Sequence, residues 1–372
     1  MQVVNYGLLG AGMMGQEHIK NISLIPNAKV VAFVEPDKGM RETTQQLIPD
    51  AVCYENLSQM LDQNLDALVI ATPNYQHVDQ LIEIMSQTSL PILVEKPVAT
   101  SLEQIDKLRE AIKQYSAPVW VAMEYRYMPP VAEFREQLKN GAVGEMSMLS
   151  IREHRFPFLE KVEDWNRFNK QTGGTLVEKC CHFFDLMRLL VGSEVTRVYA
   201  SGAQDLNHLD EQYDGQTPDI LDNAYVVLDF ENKKRALLDL NMFSEGSRYQ
   251  EEICAVGSDA KMECLVPGPG RFWPEASLGP APVPKVIVSP RDPKGPIEKD
   301  IPVDPELLEA GDHNGSTFYQ HMNFFNVITQ GTEVEVSIED GLKSVVLGLA
   351  AQHSAETGQA VKITESGYSF SL

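Results

Sequence analysis

Between residue 3 and about residue 122, short β-branched runs alternate with amphipathic stretches, and that rhythm leaves few folds open. Val3 to Leu9, Val30 to Val34, Ala67 to Ile70, Ile92 to Val94 and Val119 to Ala122 read as strands. Met13 to Leu24, Lys38 to Leu47, Tyr75 to Met85 and Leu102 to Tyr115 read as the helices between them. Strands joined through helices cross over and run parallel, so the expectation is a doubly wound α/β sheet. The strands are apolar nearly throughout, as helices on both faces require.

Beyond residue 123 the pattern changes. Glu145 to His154, Val195 to Ala203, Asn223 to Phe230, Arg235 to Phe243, Tyr249 to Ala255 and Lys261 to Leu265 read as strands, most of them consecutive, which predicts a large, open, mostly antiparallel sheet. Helical patterns at Pro130 to Lys139, Glu178 to Leu190, Ser316 to Thr329 and Ile338 to Thr357 make this second part α+β, with helices on one face. Residues 267–305 hold eleven of the 22 prolines, so most of that stretch is expected to be an irregular excursion from the sheet. At about 150 residues per domain, 372 residues make two. The boundary is expected after residue 123, giving domains 1–123 and 124–372.

Partners follow from charge. With 31 Lys+Arg against 53 Asp+Glu the chain carries a formal −22, which repels phosphate backbones and anionic membranes, so neither nucleic acid nor membrane is an expected partner. No run approaches the ~18 apolar residues of a membrane span, and Met1 leads into a strand-like run without a basic leader, which predicts a cytoplasmic protein. The cysteines at 53, 180, 181, 254 and 264 form no CxxC, and no metal site is expected.

After the first strand comes Gly10-Ala11-Gly12-Met13-Met14-Gly15, a GxGxxG that opens a helix. Gly10 permits the turn, Gly12 lets backbone approach a pyrophosphate, Gly15 lets helix and strand pack, and the helix N-terminus, with Met13 and Met14, faces the phosphates. Glu35 ends the next strand, where a carboxylate can accept hydrogen bonds from the adenosine ribose and would repel a 2′-phosphate. The first domain is therefore read as a Rossmann NAD-binding unit, with NADP left open because Lys38 and Arg41 follow close behind. His18, one turn past the last glycine, is expected to pack or cap.

Ala71-Thr72-Pro73-Asn74 and Glu95-Lys96-Pro97 each follow a strand of the parallel sheet, at the carboxyl ends where such sheets bind ligands. Thr72, Pro73, Asn74, His77, Glu95 and Lys96 are the candidate cofactor contacts there. Lys96 is aimed at the cleft, or else pairs with Glu95 at the surface. A second cluster is Gly173-Gly174-Thr175-Leu176-Val177-Glu178-Lys179-Cys180-Cys181-His182-Phe183-Phe184-Asp185. If helical from about Thr175, it sets Glu178, His182 and Asp185 on one face, where the carboxylate would fix the tautomer of His182 and make it a general base. The vicinal cysteines read as packing residues.

These motifs, in this order and spacing, resemble the Gfo/Idh/MocA family of sugar and polyol dehydrogenases. The similarity spans nearly the whole chain, including Asp312-His313-Asn314-Gly315-Ser316, and the EKP and GG…H…D stretches are its most diagnostic parts. The resemblance implies that Lys96 polarises the reacting oxygen and His182 is the acid/base, with Glu178 as its positioner. It also implies that Arg126 lies beside the nicotinamide and that Trp165, Arg167 and His313 line the substrate cleft. Members similar to inositol dehydrogenase carry aspartate where this chain has Glu178, which weakens a direct substrate contact there. The resemblance implies an NAD(P)-dependent oxidoreductase acting on a sugar, cyclic polyol or sugar derivative. Two alternatives remain, a redox-neutral glycosidase that oxidises its sugar transiently and a non-catalytic dinucleotide-binding regulator. Together with an open sheet face, the resemblance predicts a homodimer or homotetramer.

Overall fold

The computed structural model describes residues 3–364. Met1 and Gln2, and the end of the second predicted domain from 365 to 372, lie outside the described residues.

Six parallel strands form the first sheet: β1 (Val4–Leu9), β2 (Ala28–Val34), β3 (Val52–Tyr54), β4 (Ala67–Ile70), β5 (Ile92–Val94) and β6 (Val119–Val121). Their order, β3-β2-β1-β4-β5-β6, reverses direction between β1 and β4. At that reversal the loops leaving β1 and β4 part to opposite faces, and a crevice opens at the carboxyl ends. β4, β5 and β6 are buried at every residue, which explains why their short runs carry no alternation.

The second sheet has nine strands: β7 (Met146–His154), β8 (Val195–Ala203), β9 (Asn223–Phe230), β10 (Arg235–Asn241), β11 (Glu251–Gly257), β12 (Ala260–Val266), β13 (Lys285–Pro290), β14 (Ile297–Asp300) and β15 (Val361–Lys362). Its order is β14-β13-β12-β11-β7-β10-β9-β8-β15, antiparallel except where β7 and β10 run parallel. The alternation along β9 and β10 puts Ala224, Val226, Leu228, Ala236, Leu238 and Leu240 into the core under the helix Cys181–Val191. The opposite face leaves Met148, Tyr199, Tyr225, Val227, Leu237 and Val256 exposed.

The proline-rich stretch corrects an expectation. It contains β13 and β14, a hairpin that extends the sheet edge. Its prolines flank the strands, and Lys285 to Ser289 is free of them, so the ladder with β12 loses no donor along that run.

Each sheet has its own core, and the helix Ile338–Thr357 packs into both. Phe324, Phe325 and Val327 of the helix Ser316–Gln330, with Leu342 and Val345 of the helix Ile338–Thr357, pack into the core of the first sheet. Leu347, Ala350 and Ala351, one turn on, pack into the second. Arg126 reinforces this junction from a short turn after β6, since its Nε and Nη2 each donate to Asp185 at 2.5 Å and its Nη1 donates to the Glu335 carbonyl at 3.0 Å. Both members of the pair are buried. Removing one partner strands a charge in the interior, so Arg126→Ala is expected to lower unfolding free energy by about 3–5 kcal/mol in urea titration.

Candidate active site

The glycine loop packs as its spacing demands. Gly10 takes φ +86°, and a Cβ there would meet the Ala71 backbone at 2.8 Å, while a Cβ on Gly15 would meet the Gly10 carbonyl at 2.3 Å. Gly12 faces open space, with nothing within 4 Å of where a Cβ would stand, and it heads the helix Met13–Ser23 without a side-chain cap. Backbone N–H groups at that terminus are therefore free to receive a pyrophosphate. Glu35 Oε2 accepts from the Ala11 N–H at 2.7 Å and Oε1 from the Asp37 N–H at 2.8 Å, so the acidic residue holds the loop as well as edging it.

The loop opens into a cleft of about 450 Å³. Gly10, Gly12, Met13, Met14, Glu35 and Lys38 line one end; Thr72, Pro73 and Asn74 line the middle; Glu95, Lys96, Glu178, Lys161 and Trp165 line the other. Asn74 is buried and its Nδ2 has no partner among the described residues, a donor open to a ligand. Trp165 meets Tyr75 edge-on, with centroids 6.5 Å apart. A larger hollow of about 700 Å³ lies elsewhere, beside Arg188, Glu194 and Lys343, and those groups already pair with one another.

Lys96 is held from both sides. Its Nζ donates to the Glu178 carbonyl at 3.3 Å and its N–H to Glu95 Oε2 at 3.2 Å. Burial, which alone would lower its pKa, is outweighed by the Cys181 sulfur and the carboxylates of Glu95, Glu178 and Glu124, so the ammonium titrates above the ordinary lysine value. His182 is the reverse case. It is buried and stacked on Tyr125 with centroids 4.1 Å apart, and burial together with the charges of Lys96, Lys179, His313 and Arg155 pushes it well below 6.5. Its Nδ1 has no partner among the described residues. Lys96 lines the cleft, whereas His182 is buried outside the lining, near enough for the lysine's charge to act on it.

Comparison with known proteins agrees with this geometry. A family model described as the oxidoreductase family, NAD-binding Rossmann fold, matches residues 4–123, and its companion, the C-terminal alpha/beta domain, matches residues 135–363. The chain belongs to the Gfo/Idh/MocA oxidoreductase family. It is 28% identical over 233 residues to the scyllo-inositol 2-dehydrogenase (NAD(+)) of Bacillus subtilis, covering 62% of this chain and 64% of that one. It is 25% identical over 363 residues to the myo-inositol 2-dehydrogenase of Thermotoga maritima, covering 96% and 98%. An oxidoreductase from Agrobacterium radiobacter, solved with NAD+, L-tartaric acid and magnesium, shares the fold at a TM-score of 0.77 and 18% identity, covering 96% and 98%.

Within this Gfo/Idh/MocA chain, several expected site residues sit elsewhere. Glu178 ends a short helix, Thr175–Glu178, and a new one begins at Cys181. The Phe183 and Phe184 N–H groups both donate to the Cys180 carbonyl, so the helical register restarts between Glu178 and His182, and no hydrogen bond joins them among the described residues. The Glu178 carboxyl has one oxygen without a partner, and burial raises its pKa against the pull of Lys96 and Lys161. Arg126 is spent on Asp185, and Arg167, buried, donates to Glu211 at 2.8 Å, so neither lines the cleft. His77 is buried with both ring nitrogens within 2.9 Å of backbone carbonyls, of Pro97 and Thr72, and it braces the two loops from behind.

His313, expected to line the substrate cleft, and His18, expected to pack or cap, are both held in buried polar groups and neither is in the cleft lining. His18 Nε2 lies 2.9 Å from Glu95 Oε1 and its Nδ1 2.8 Å from His321 Nε2, a line of buried polar groups beneath Lys96. His313 Nδ1 lies 2.8 Å from Glu17 Oε1, and its Nε2 lies 3.7 Å from Glu124 Oε1. The three side chains come close enough for a metal ion, but an imidazole protonated between two carboxylates has no lone pair to offer one. No signal along the chain joins residues 17, 124 and 313; a basic residue seven after a Pro-Glu pair looks like any surface histidine.

Burial opposes the His313 charge, but Glu124 and Glu17 outweigh it and raise the pKa from 6.5 to about 9. A histidine raised on folding contributes stability below its unfolded value and loses it as pH climbs through the folded one. Unfolding free energy is therefore expected to fall by about 2–3 kcal/mol as pH passes from 6.5 to beyond 9, and His313→Gln to flatten that slope in denaturant titrations.

Proposed function

We propose that this protein is an NAD-dependent oxidoreductase that acts on a CH–OH group of a sugar or cyclic polyol, with Lys96 and His182 as its working pair. The observation that carries the reading is a buried ammonium, Lys96, lining the same cleft as the open glycine loop, with a buried imidazole, His182, close enough to feel its charge. The relatives named for inositol oxidation support the substrate class.

NAD fits the cleft through the bare face of Gly12, the free helix terminus, Glu35 and the unpartnered Asn74 amide. Bound there, it supplies a hydride acceptor. The protein's own residues do the rest. Lys96 stabilises negative charge as it grows on the substrate oxygen, and it does so without reorganising, because Glu178 and Glu95 already fix its position. His182 takes the hydroxyl proton. The plane of its ring is set by Tyr125, whose hydroxyl accepts from Lys179 at 2.6 Å. Trp165 offers the sugar an apolar face.

The protein also pairs with a second copy through the outer face of its large sheet. Leu237, Val227 and Tyr199 form a row through β10, β9 and β8, and one step along the strands Val256 faces Met148 across β11 and β7, all of them exposed. A contiguous apolar row of this kind is stable in water only when covered. Val227→Lys combined with Leu237→Lys is expected to give a monomer by light scattering where the parent is a dimer or larger.

His182→Ala is expected to reduce kcat by about 10²–10⁴-fold and Lys96→Met by about 10²–10³-fold in NADH formation on a polyol panel, with NAD still bound. Wild-type turnover in both variants defeats the reading. Since the neutral imidazole is the base and its pKa is depressed, kcat/KM for oxidation stays level as pH falls to 6.5 and drops only below it.

A further inference from the structure

The substrate end of the cleft holds a cation that the protein leaves without a partner. Lys161 lies in the loop 155–168 that leaves β7, and it lines the cleft beside Lys96, Trp165 and Glu178. It is half-buried, and its ammonium has neither a hydrogen bond nor an ion pair among the described residues. An ammonium taken partly out of water without an ion pair is disfavoured, and burial pushes its pKa down against the opposing pull of Glu178 and Glu95.

Its surroundings place it along the cleft. The charges that act on it most are Glu178, Lys96, Glu95 and Arg155, the groups around the reacting end. Glu35 and Asp37 at the adenosine end are not among them, nor are Glu160 and Glu163 of its own loop, which also line the cleft. Arg155 lies outside the cleft lining and is already engaged. It spends Nε on the Phe156 carbonyl at 3.2 Å, keeps Nη1 3.5 Å from Glu153, and covers the Phe156 ring at 4.2 Å. The carboxyl facing these cations, Glu178, is one whose neutral form burial favours. In a chain of formal charge −22, Lys96 and Lys161 line this end together with Glu95, Glu160, Glu163 and Glu178, and Lys161 is the one of the two lysines without a hydrogen bond among the described residues.

A neutral polyol gives such a lysine nothing that water does not. An acid group does, because a charge-assisted hydrogen bond in a half-buried site is roughly twice as strong as a neutral one. We propose that Lys161 is the anchor of an anion subsite, and that the substrate is a sugar bearing an acid group, a carboxylate or a phosphate ester, whose hydroxyl is presented to Lys96 and His182. This rests on the reading that the cleft takes a hydroxylated substrate beside Lys96.

Calorimetric titration of the NAD-loaded protein tests it without turnover, with D-glucuronate, D-glucose 6-phosphate and D-glucose as probes on wild type, Lys161→Met and Lys161→Arg. Wild type is expected to bind one or both acids at least about tenfold more tightly than glucose, with the advantage shrinking as salt rises. Lys161→Met is expected to abolish that advantage, and Lys161→Arg to keep most of it. Whichever acid is preferred assigns the group as carboxylate or phosphate. The proposal fails if the acids bind no better than glucose, or bind Lys161→Met as well as wild type. It fails also if Lys161→Met loses NAD affinity instead, which would give the lysine to the cofactor's pyrophosphate. Oxidation of neutral polyols with no preference for acids would sink the subsite and leave the oxidoreductase reading standing. Acids bound through Lys161, with no NADH from any substrate, would sink that reading and leave the subsite.

Discussion

Charge buried between the two sheets has to be paired before the rest of this protein can be placed. Glu95, His18 and His321 line up beneath Lys96; Glu17, His313 and Glu124 form a second group; Arg126 and Asp185 form a third. Each joins residues far apart in the chain, and each carries a partner from the C-terminal half into contact with the first sheet. A buried ion left alone costs several kcal/mol, so none of these contacts can be given up singly. The two sheets are thereby fixed relative to one another, and the cleft between them has one shape.

That fixed shape separates two kinds of recognition. At the dinucleotide end the binding groups are backbone: the open face of Gly12, the helix terminus behind it, and a carboxylate that holds the loop by two N–H groups. Backbone amides recognise phosphate whatever the neighbouring side chains are. At the other end the lining groups are side chains delivered from different elements: Lys96 after β5, Glu178 at the end of a short helix, Lys161 and Trp165 on a loop. There the protonation state of each group depends on the others. His182 is pushed down by its burial and then by the nearby charge of Lys96, while the groups around Lys96 raise its pKa against burial. Specificity is written into that end, since a change of one side chain alters the charge felt by several.

Much of this was legible in the chain itself, for local reasons. The strands at Ala67–Ile70, Ile92–Val94 and Asn223–Phe230 fall where the apolar pattern put them, because a strand buried on two faces or on one face has no other way to be written. The glycine loop was equally plain, since spacing alone makes Gly10 turn and Gly15 pack. The expected Glu178–His182 pair was not there, because an unbroken helix was assumed and the chain restarts its register at Cys180. Arg126 and Arg167 looked free and were not. Their partners, Asp185 and Glu211, lie 59 and 44 residues away, beyond anything a local pattern reports.

The sequence by itself determined the two-sheet plan and the dinucleotide loop. These depend on periodicity and on the steric character of single residues, which travel with the chain wherever it folds. Tertiary structure alone decided which of the charged residues would be spent on one another and which would be left facing the cleft. Pairing in the interior is settled by distance in space, and His18 finds His321, and Glu17 finds His313, only after 303 and 296 residues of chain have been folded between them.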